Sequence, residues 1–221
     1  MKGMIPYKRH DLVWLSDAGR DCALRNIQSC IPPVSESEKS DLIFSGVPAI
    51  VRRQETAEGG LFCIGFSSHR IIDGIRLRIA AMIPLDCVTE GKTPFDVAKC
   101  GKGNYPHREA LRAFMDAGEG HHIEVGCFGS VAMQIVTALP YCRENSDLDI
   151  CLRLHGTRRD LELFFSLLLG YERQFRVTTD PEIEFGKYGV KLKEFFAPGK
   201  TMLGKGLYDV TLLEKGGFPE H

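Results

Sequence analysis

The stretch that decides the reading is Val125 to Leu152, VGCFGSVAMQIVTALPYCRENSDLDICL. An apolar, strand-like segment, Ile123 to Val125, runs into Gly126, Gly129 and Ser130. Small residues at such a junction suit a tight turn that brings backbone N–H groups close to a ligand. From Ser130, the apolar residues Val131, Ile135, Ala138 and Leu139 recur at helical spacing, with Ser130 as N-cap and Pro140 as the stop. Tyr141 to Ser146 then reads as a polar loop, followed by Asp147-Leu148-Asp149-Ile150-Cys151-Leu152. Strand side chains alternate, so Asp147 and Asp149 share one face while Leu148, Ile150 and Leu152 take the other. Carboxylates projecting together repel unless a cation lies between them. Oxygen-only ligation beside a phosphate-friendly turn points to Mg²⁺ and a polyphosphate. A bare Asp-x-Asp also describes a solvated strand face, and a lone Gly-Ser an ordinary helix start. The signal lies in their spacing.

This turn–helix–strand unit resembles the signature of the nucleotidyltransferase superfamily on Gly129, Ser130, Asp147 and Asp149. The wording around it, Gln134, Thr137, Leu139-Pro140-Tyr141 and Ser146-Asp147-Leu148-Asp149, resembles the phosphoribosyl-dephospho-coenzyme A transferase family of malonate decarboxylase, also called its holo-acyl-carrier-protein synthase. Arg9 to Leu15 and Val47-Pro48 to Arg52 are similar to the N-terminal part of the same family. Ala138 departs from the pattern, which leads us to expect Gly there.

The resemblance implies an enzyme that transfers the 2′-(5″-triphosphoribosyl)-3′-dephospho-coenzyme A group to a serine of an apo acyl-carrier subunit, with pyrophosphate leaving. It implies Mg²⁺ held by Asp147 and Asp149, and a third carboxylate from a neighbouring strand. Phe175 to Phe185 reads as strand-like at both ends, and there Glu182 and Glu184 alternate with Ile183 and Phe185. Glu184 is the favoured third carboxylate and Glu182 its competitor, although alternating glutamates also occur on plain edge strands. Substrate phosphates fall to the backbone at Gly129 and Ser130, with Lys205 or Arg143; Lys205 precedes a strand in a Gly-flanked turn. Tyr141 is expected at the mouth of the site.

The bulk properties narrow the classes. A net charge of −1 over 221 residues argues against a nucleic-acid surface. No apolar run approaches the length of a membrane span and no secretory leader is visible, so we expect a cytoplasmic protein. The eight cysteines form no C-x-x-C and read as reduced, mostly core residues.

Taken in order, Asp17 to Cys30 reads as a helix and Ile31 to Ser40 as a Pro/Ser/Glu loop. Val47–Arg53, Leu61–Ser67 and Ile75–Ile83 read as strands, the first two joined by a turn at Glu58-Gly59-Gly60. Helices follow from Thr93-Pro94 to Ala98, Pro106 to Ala117 and Thr157 to Leu169, the last stopped by Gly170. Val190–Phe196 and Leu207–Leu213 complete the sheet. The fold class is α+β, with a small, mainly β N-terminal domain over residues 1–88. Residues 89–221 form a nucleotidyltransferase-like domain, a mixed sheet with flanking helices. The N-terminal domain is the candidate grip for an acidic carrier protein, through Arg52-Arg53 and Arg76/Arg78. The alternatives are another nucleotidyltransferase, such as an adenylyltransferase, and a non-catalytic interaction protein of the same fold.

Overall fold

The structure is a computed structural model that describes residues 6–54, 60–101, 103–143 and 145–217. It divides into two units. The first runs to Thr93 and includes Leu139–Tyr141 and Leu207–Asp209; the second holds Pro94–Ala138, Cys142–Gly206 and the chain from Val210.

In the first unit the elements are β1 (Leu12–Leu15), α1 (Asp17–Arg25), β2 (Ile27–Ile31), α2 (Glu36–Phe44), β3 (Ala49–Val51), β4 (Leu61–Ile72), β5 (Ile75–Pro84) and β6 (Val88–Lys92). The strands pair antiparallel in the order β2-β5-β4-β3-β1-β6. β4 and β5 close through Asp73-Gly74, both with positive φ (49° and 80°), the turn an Asp-Gly pair favours. Phe62, Ile64, Phe66, Leu77 and Ile79 supply its buried face, onto which α1 and α2 pack.

Several expectations change here. The helix from Asp17 ends at Arg25, and Ile27–Ile31 pairs instead with β5. The Pro/Ser/Glu stretch contains the start of α2, because Ser35 accepts from the Glu38 N–H and Glu38 accepts from the Ser35 N–H, a capping box hidden in acidic, serine-rich wording. β6 pairs with β1, which carries this unit past Val88 to Thr93. Glu58 and Gly59 of the expected turn lie outside the described residues. Tyr141 is buried in the first unit, where its hydroxyl donates to Ser67 O at 2.8 Å, so it is a core residue of that unit. Arg76 donates to Tyr141 O at 2.6 Å and to Ser68 O at 3.1 Å, so it has an internal role.

The second unit contains α3 (Pro94–Lys99), α4 (Arg108–Gly120), β7 (Ile123–Cys127), α5 (Gly129–Thr137), β8 (Ile150–Leu154), α6 (Arg158–Phe175), β9 (Glu182–Phe185), β10 (Tyr188–Lys191), α7 (Leu192–Phe196), β11 (Thr201–Lys205) and β12 (Val210–Glu214). Its sheet runs β12-β11-β10-β9-β8-β7 and is mixed: β8 and β9 are parallel, the other pairs antiparallel. The parallel pair follows from α6, which crosses between β8 and β9. Thr157 caps α6 as expected, in a capping box with Asp160, but the helix runs through Gly170 to Phe175. Lys205 ends a strand, β11, that the sequence did not suggest.

One sheet face is apolar and buried: Val125, Leu148, Ile150, Leu152, Ile183 and Val190, with Leu111, Phe114, Leu161 and Phe164 from α4 and α6. The opposite face carries the charges. The alternation read at Asp147–Leu152 therefore holds, with Leu148, Ile150 and Leu152 on the buried face. The molecule is α+β, with a mainly β N-terminal unit and a mixed C-terminal sheet. Among the described residues, no helix is long and apolar enough to cross a membrane.

Candidate active site

The site is built where β7 ends and β8 begins. Phe128 N donates to Asp149 O at 3.0 Å, which ties the turn to the approach of β8. Gly129 follows with φ +69, and a Cβ there would collide with the Asp149 carboxylate: Oδ2 directly, Cγ at 3.0 Å. Only glycine provides both that backbone angle and that space. The turn read as a ligand cradle thus also seats the second aspartate. Ser130 lies inside α5 and is not its cap. The N-cap is Phe128, without a side-chain acceptor, so the first N–H groups of α5 have no capping side chain.

Asp149 is half-buried, and desolvation pushes its carboxyl from the ordinary 3.8 up to about 6. Lys191 opposes that rise, while Asp147 and Glu182 add to it. Three carboxylates therefore act on one another here, and one ammonium group acts with them. Lys191 pairs with Asp180, and its Nζ lies 3.5 Å from Glu182 Oε1. Asp147 is exposed at the mouth of the cluster.

Glu182 is 5% exposed and lies directly opposite Lys191 in the β9–β10 ladder and opposite Cys151 in the parallel β8–β9 pair. Glu184, two residues on, is engaged elsewhere. Arg153 holds both its oxygens, Nε to Oε2 at 2.8 Å and Nη2 to Oε1 at 3.4 Å. The same guanidinium donates to Glu124 at 2.8 Å, Glu124 bonds Lys99 at 2.7 Å, and the Arg153 Cζ sits 4.1 Å from the centroid of the Phe95 ring. Glu184 thus belongs to an ion-pair network under α3, and Glu182 is the carboxylate beside Asp149.

The other expected residues are distributed differently. Lys205 pairs across Gly189 from Glu184, in the row of the Arg153 network. Arg143 lies on the exposed loop ahead of Asp147, its N–H donating to Ser146 Oγ at 2.8 Å. Lys191 carried no assigned role in the sequence, yet a usable signal was present. Phe185 and Tyr188 close a hairpin over Gly186-Lys187, Gly186 has φ +59, and that register sets Lys191 opposite Glu182.

All eight cysteines are free. Burial pushes the Cys127 thiol up to about 12 and the Cys151 thiol up as well, so both are inert core residues. Among the described residues, no three His, Cys, Asp or Glu side chains converge as a ready-made metal cage. The donor chemistry nonetheless fits a hard cation: Asp147 and Asp149 offer only oxygens, and burial, with Asp147 and Glu182 adding to it against the opposing Lys191, raises the Asp149 carboxyl to about 6.

Comparison with known families assigns the chain to the transferases. Residues 97–216 match the family described as phosphoribosyl-dephospho-CoA transferase MdcG C-terminal domain, and residues 8–94 match the MdcG N-terminal domain. The chain belongs to this phosphoribosyl-dephospho-CoA transferase family. It is similar to a phosphoribosyl-dephospho-CoA transferase of Xanthomonas euvesicatoria pv. vesicatoria (strain 85-10), 25% identical over 224 residues that span 96% of each chain. No solved structure matches it.

Proposed function

We infer that the protein transfers the phosphoribosyl-dephospho-coenzyme A group from 2′-(5″-triphosphoribosyl)-3′-dephospho-coenzyme A to a serine of the apo acyl-carrier subunit of malonate decarboxylase, releasing pyrophosphate, by nucleotidyltransferase-type chemistry with Mg²⁺. The observation that carries this reading is the seating of the Asp149 carboxylate on Gly129. It joins a turn suited to phosphate and an oxygen donor set at one point.

In the reaction, the serine oxygen forms a bond to the phosphorus nearest the ribose as the bond to the pyrophosphate oxygen breaks. That bonding pair leaves on pyrophosphate, and the serine proton passes to a carboxylate. Asp147 and Asp149 would hold Mg²⁺, which supplies positive charge to the attacking and departing oxygens. The uncapped N–H groups at the start of α5 donate to phosphate oxygens at the positive end of that helix. Glu182 takes the role first given to Glu184 and accepts the serine proton. Lys191 balances the cluster and orients Glu182 through their ion pair.

The test is intact-protein mass spectrometry of a purified apo carrier subunit incubated with this protein, Mg²⁺ and the triphosphoribosyl donor, with ATP alone as control. A mass gain equal to phosphoribosyl-dephospho-coenzyme A is expected. A gain of AMP in the control would establish an adenylyltransferase instead. No gain with the cognate carrier and donor would overturn the reading.

A further inference from the structure

Helix α6 turns Leu161, Phe164 and Leu168 into the core, yet it carries further leucines on the side that faces solvent. Leu163 and Leu167 stand one turn apart and are 41% and 39% exposed. Ser166 and Gly170 complete the same stripe, because positions three, four and seven residues apart share one face of a helix. A Cβ at Gly170 would meet no atom within 4 Å, so no neighbour inside the chain requires a glycine there. Glycine in a helix interior is unfavourable in itself, and this one leaves a gap beside two exposed leucines.

The charges beside the stripe follow a self-matching order. Glu162 and Arg173 lie along one edge of it, Glu162 toward the start of the helix and Arg173 toward its end. The Glu162 side chain is 42% exposed while it pairs with Arg158 at 3.1 Å. Arg173 is exposed and has no ion-pair partner among the described residues. Let two copies of α6 run antiparallel about a two-fold axis between Ser166 and Leu167. Leu163 of each is then level with the partner's Gly170, and Leu167 with the partner's Ser166. Large side chains meet small ones at both ends of the contact. The two-fold axis also brings like edges together, with Glu162 within two residues, about 3 Å of helix rise, of the level of the partner's Arg173. A single register therefore satisfies the steric and the charge pattern, each twice.

We propose that α6 pairs with α6 of a second copy of this chain in this antiparallel register, forming a weak, concentration-dependent homodimer. One helix pair is a smaller contact than an obligate interface, and its rim charges set register more than strength. Because α6 packs on the apolar side of its sheet, pairing here leaves the carboxylate-bearing side of each copy uncovered and is independent of the transfer reaction.

The experiment is sedimentation velocity of the full chain from low micromolar to hundreds of micromolar concentration. The wild type should pass from monomer to dimer over that range. Leu163→Lys combined with Leu167→Lys should stay monomeric throughout, with an unchanged circular dichroism spectrum. Glu162→Arg and Arg173→Glu should each weaken dimerisation about tenfold, and the two together should restore it. Gly170→Gln adds a side chain where the single chain has room, so it should weaken dimerisation without lowering the melting temperature of the dilute, monomeric protein. A wild type that remains monomeric at hundreds of micromolar would overturn the proposal, as would a dimer that persists in the double-lysine variant. Failure of the combined charge reversal to restore the dimer would overturn the antiparallel register. Binding of the carrier subunit by a monomeric wild type, lost in the double-lysine variant, would give this face to the carrier instead.

Discussion

Replacing Asp149 with asparagine in the metal-free protein should raise stability at pH 8 while abolishing transfer. The folded chain holds the Asp149 proton up to a pH of about 6, against an ordinary 3.8. That is a shift of about two pH units at 1.36 kcal/mol each, or about 2–3 kcal/mol at a half-buried carboxyl. The raised value means that the folded state binds more protons than the unfolded state between these limits. Stability from this group is therefore complete below pH 3.8, falls as pH rises, and is gone above about 6. An asparagine side chain carries no such charge, so the Asp149→Asn variant should exceed wild type by about 2–3 kcal/mol at pH 8 and match it near pH 3.5. Urea unfolding in EDTA, followed by far-ultraviolet circular dichroism at both pH values, measures the difference. Millimolar Mg²⁺ should then raise the wild-type midpoint and leave the variant unmoved, since a cation that binds only the folded state stabilises it. A variant no more stable than wild type at pH 8, or an offset that persists at pH 3.5, would refute the electrostatic argument. A wild type indifferent to Mg²⁺ would refute the metal assignment.

The remaining predictions concern single positions. Ala138 closes α5 with φ +57, a left-handed conformation that favours glycine, so Ala138→Gly should stabilise the protein by about 0.5–1 kcal/mol in the same urea assay. Gly129→Ala meets the Asp149 carboxylate at a left-handed backbone position and should lower both the melting temperature and transfer, with part of the stability restored by Asp149→Ser beside it. Glu182→Gln should reduce kcat for carrier modification by about a hundredfold or more. Glu184→Gln leaves Arg153 underpaired and should cost about 1 kcal/mol of stability while kcat stays within a few-fold. The opposite ranking of these two would return the third carboxylate to Glu184.

The local signals in the sequence were strong where one short segment decides the outcome. Asp-Leu-Asp-Ile-Cys-Leu fixed its own faces, because alternation along an extended chain needs no partner, and Leu148, Ile150 and Leu152 are all buried. Thr157 announced the start of α6 by its capping chemistry. The glycine that the family resemblance led us to expect at Ala138 falls on a left-handed residue. Where several forces competed, local reading failed. Gly170 costs a helix about 1 kcal/mol, which the aromatic packing beyond it offsets: Tyr171 contacts Phe114 of α4 and Phe175 contacts Tyr171, with ring centroids 5.8 and 5.9 Å apart, so α6 continues past the glycine.

Which glutamate of β9 stands beside Asp149 was beyond any local rule. Glu182 and Glu184 lie on one face of one strand, and nothing in Glu182-Ile183-Glu184-Phe185 distinguishes them. Arg153, 31 residues from Glu184, engages that glutamate, and the hairpin over Gly186-Lys187 brings Lys191 to Glu182. His107 reaches Ser146 across 39 residues in the same way. The sequence by itself determined the turn at Gly129 and the shared face of Asp147 and Asp149, because turn and alternation are properties of neighbouring residues. Only the tertiary structure decided which distant charges stand beside them, because charge pairing depends on strand register and sheet order rather than on position along the chain.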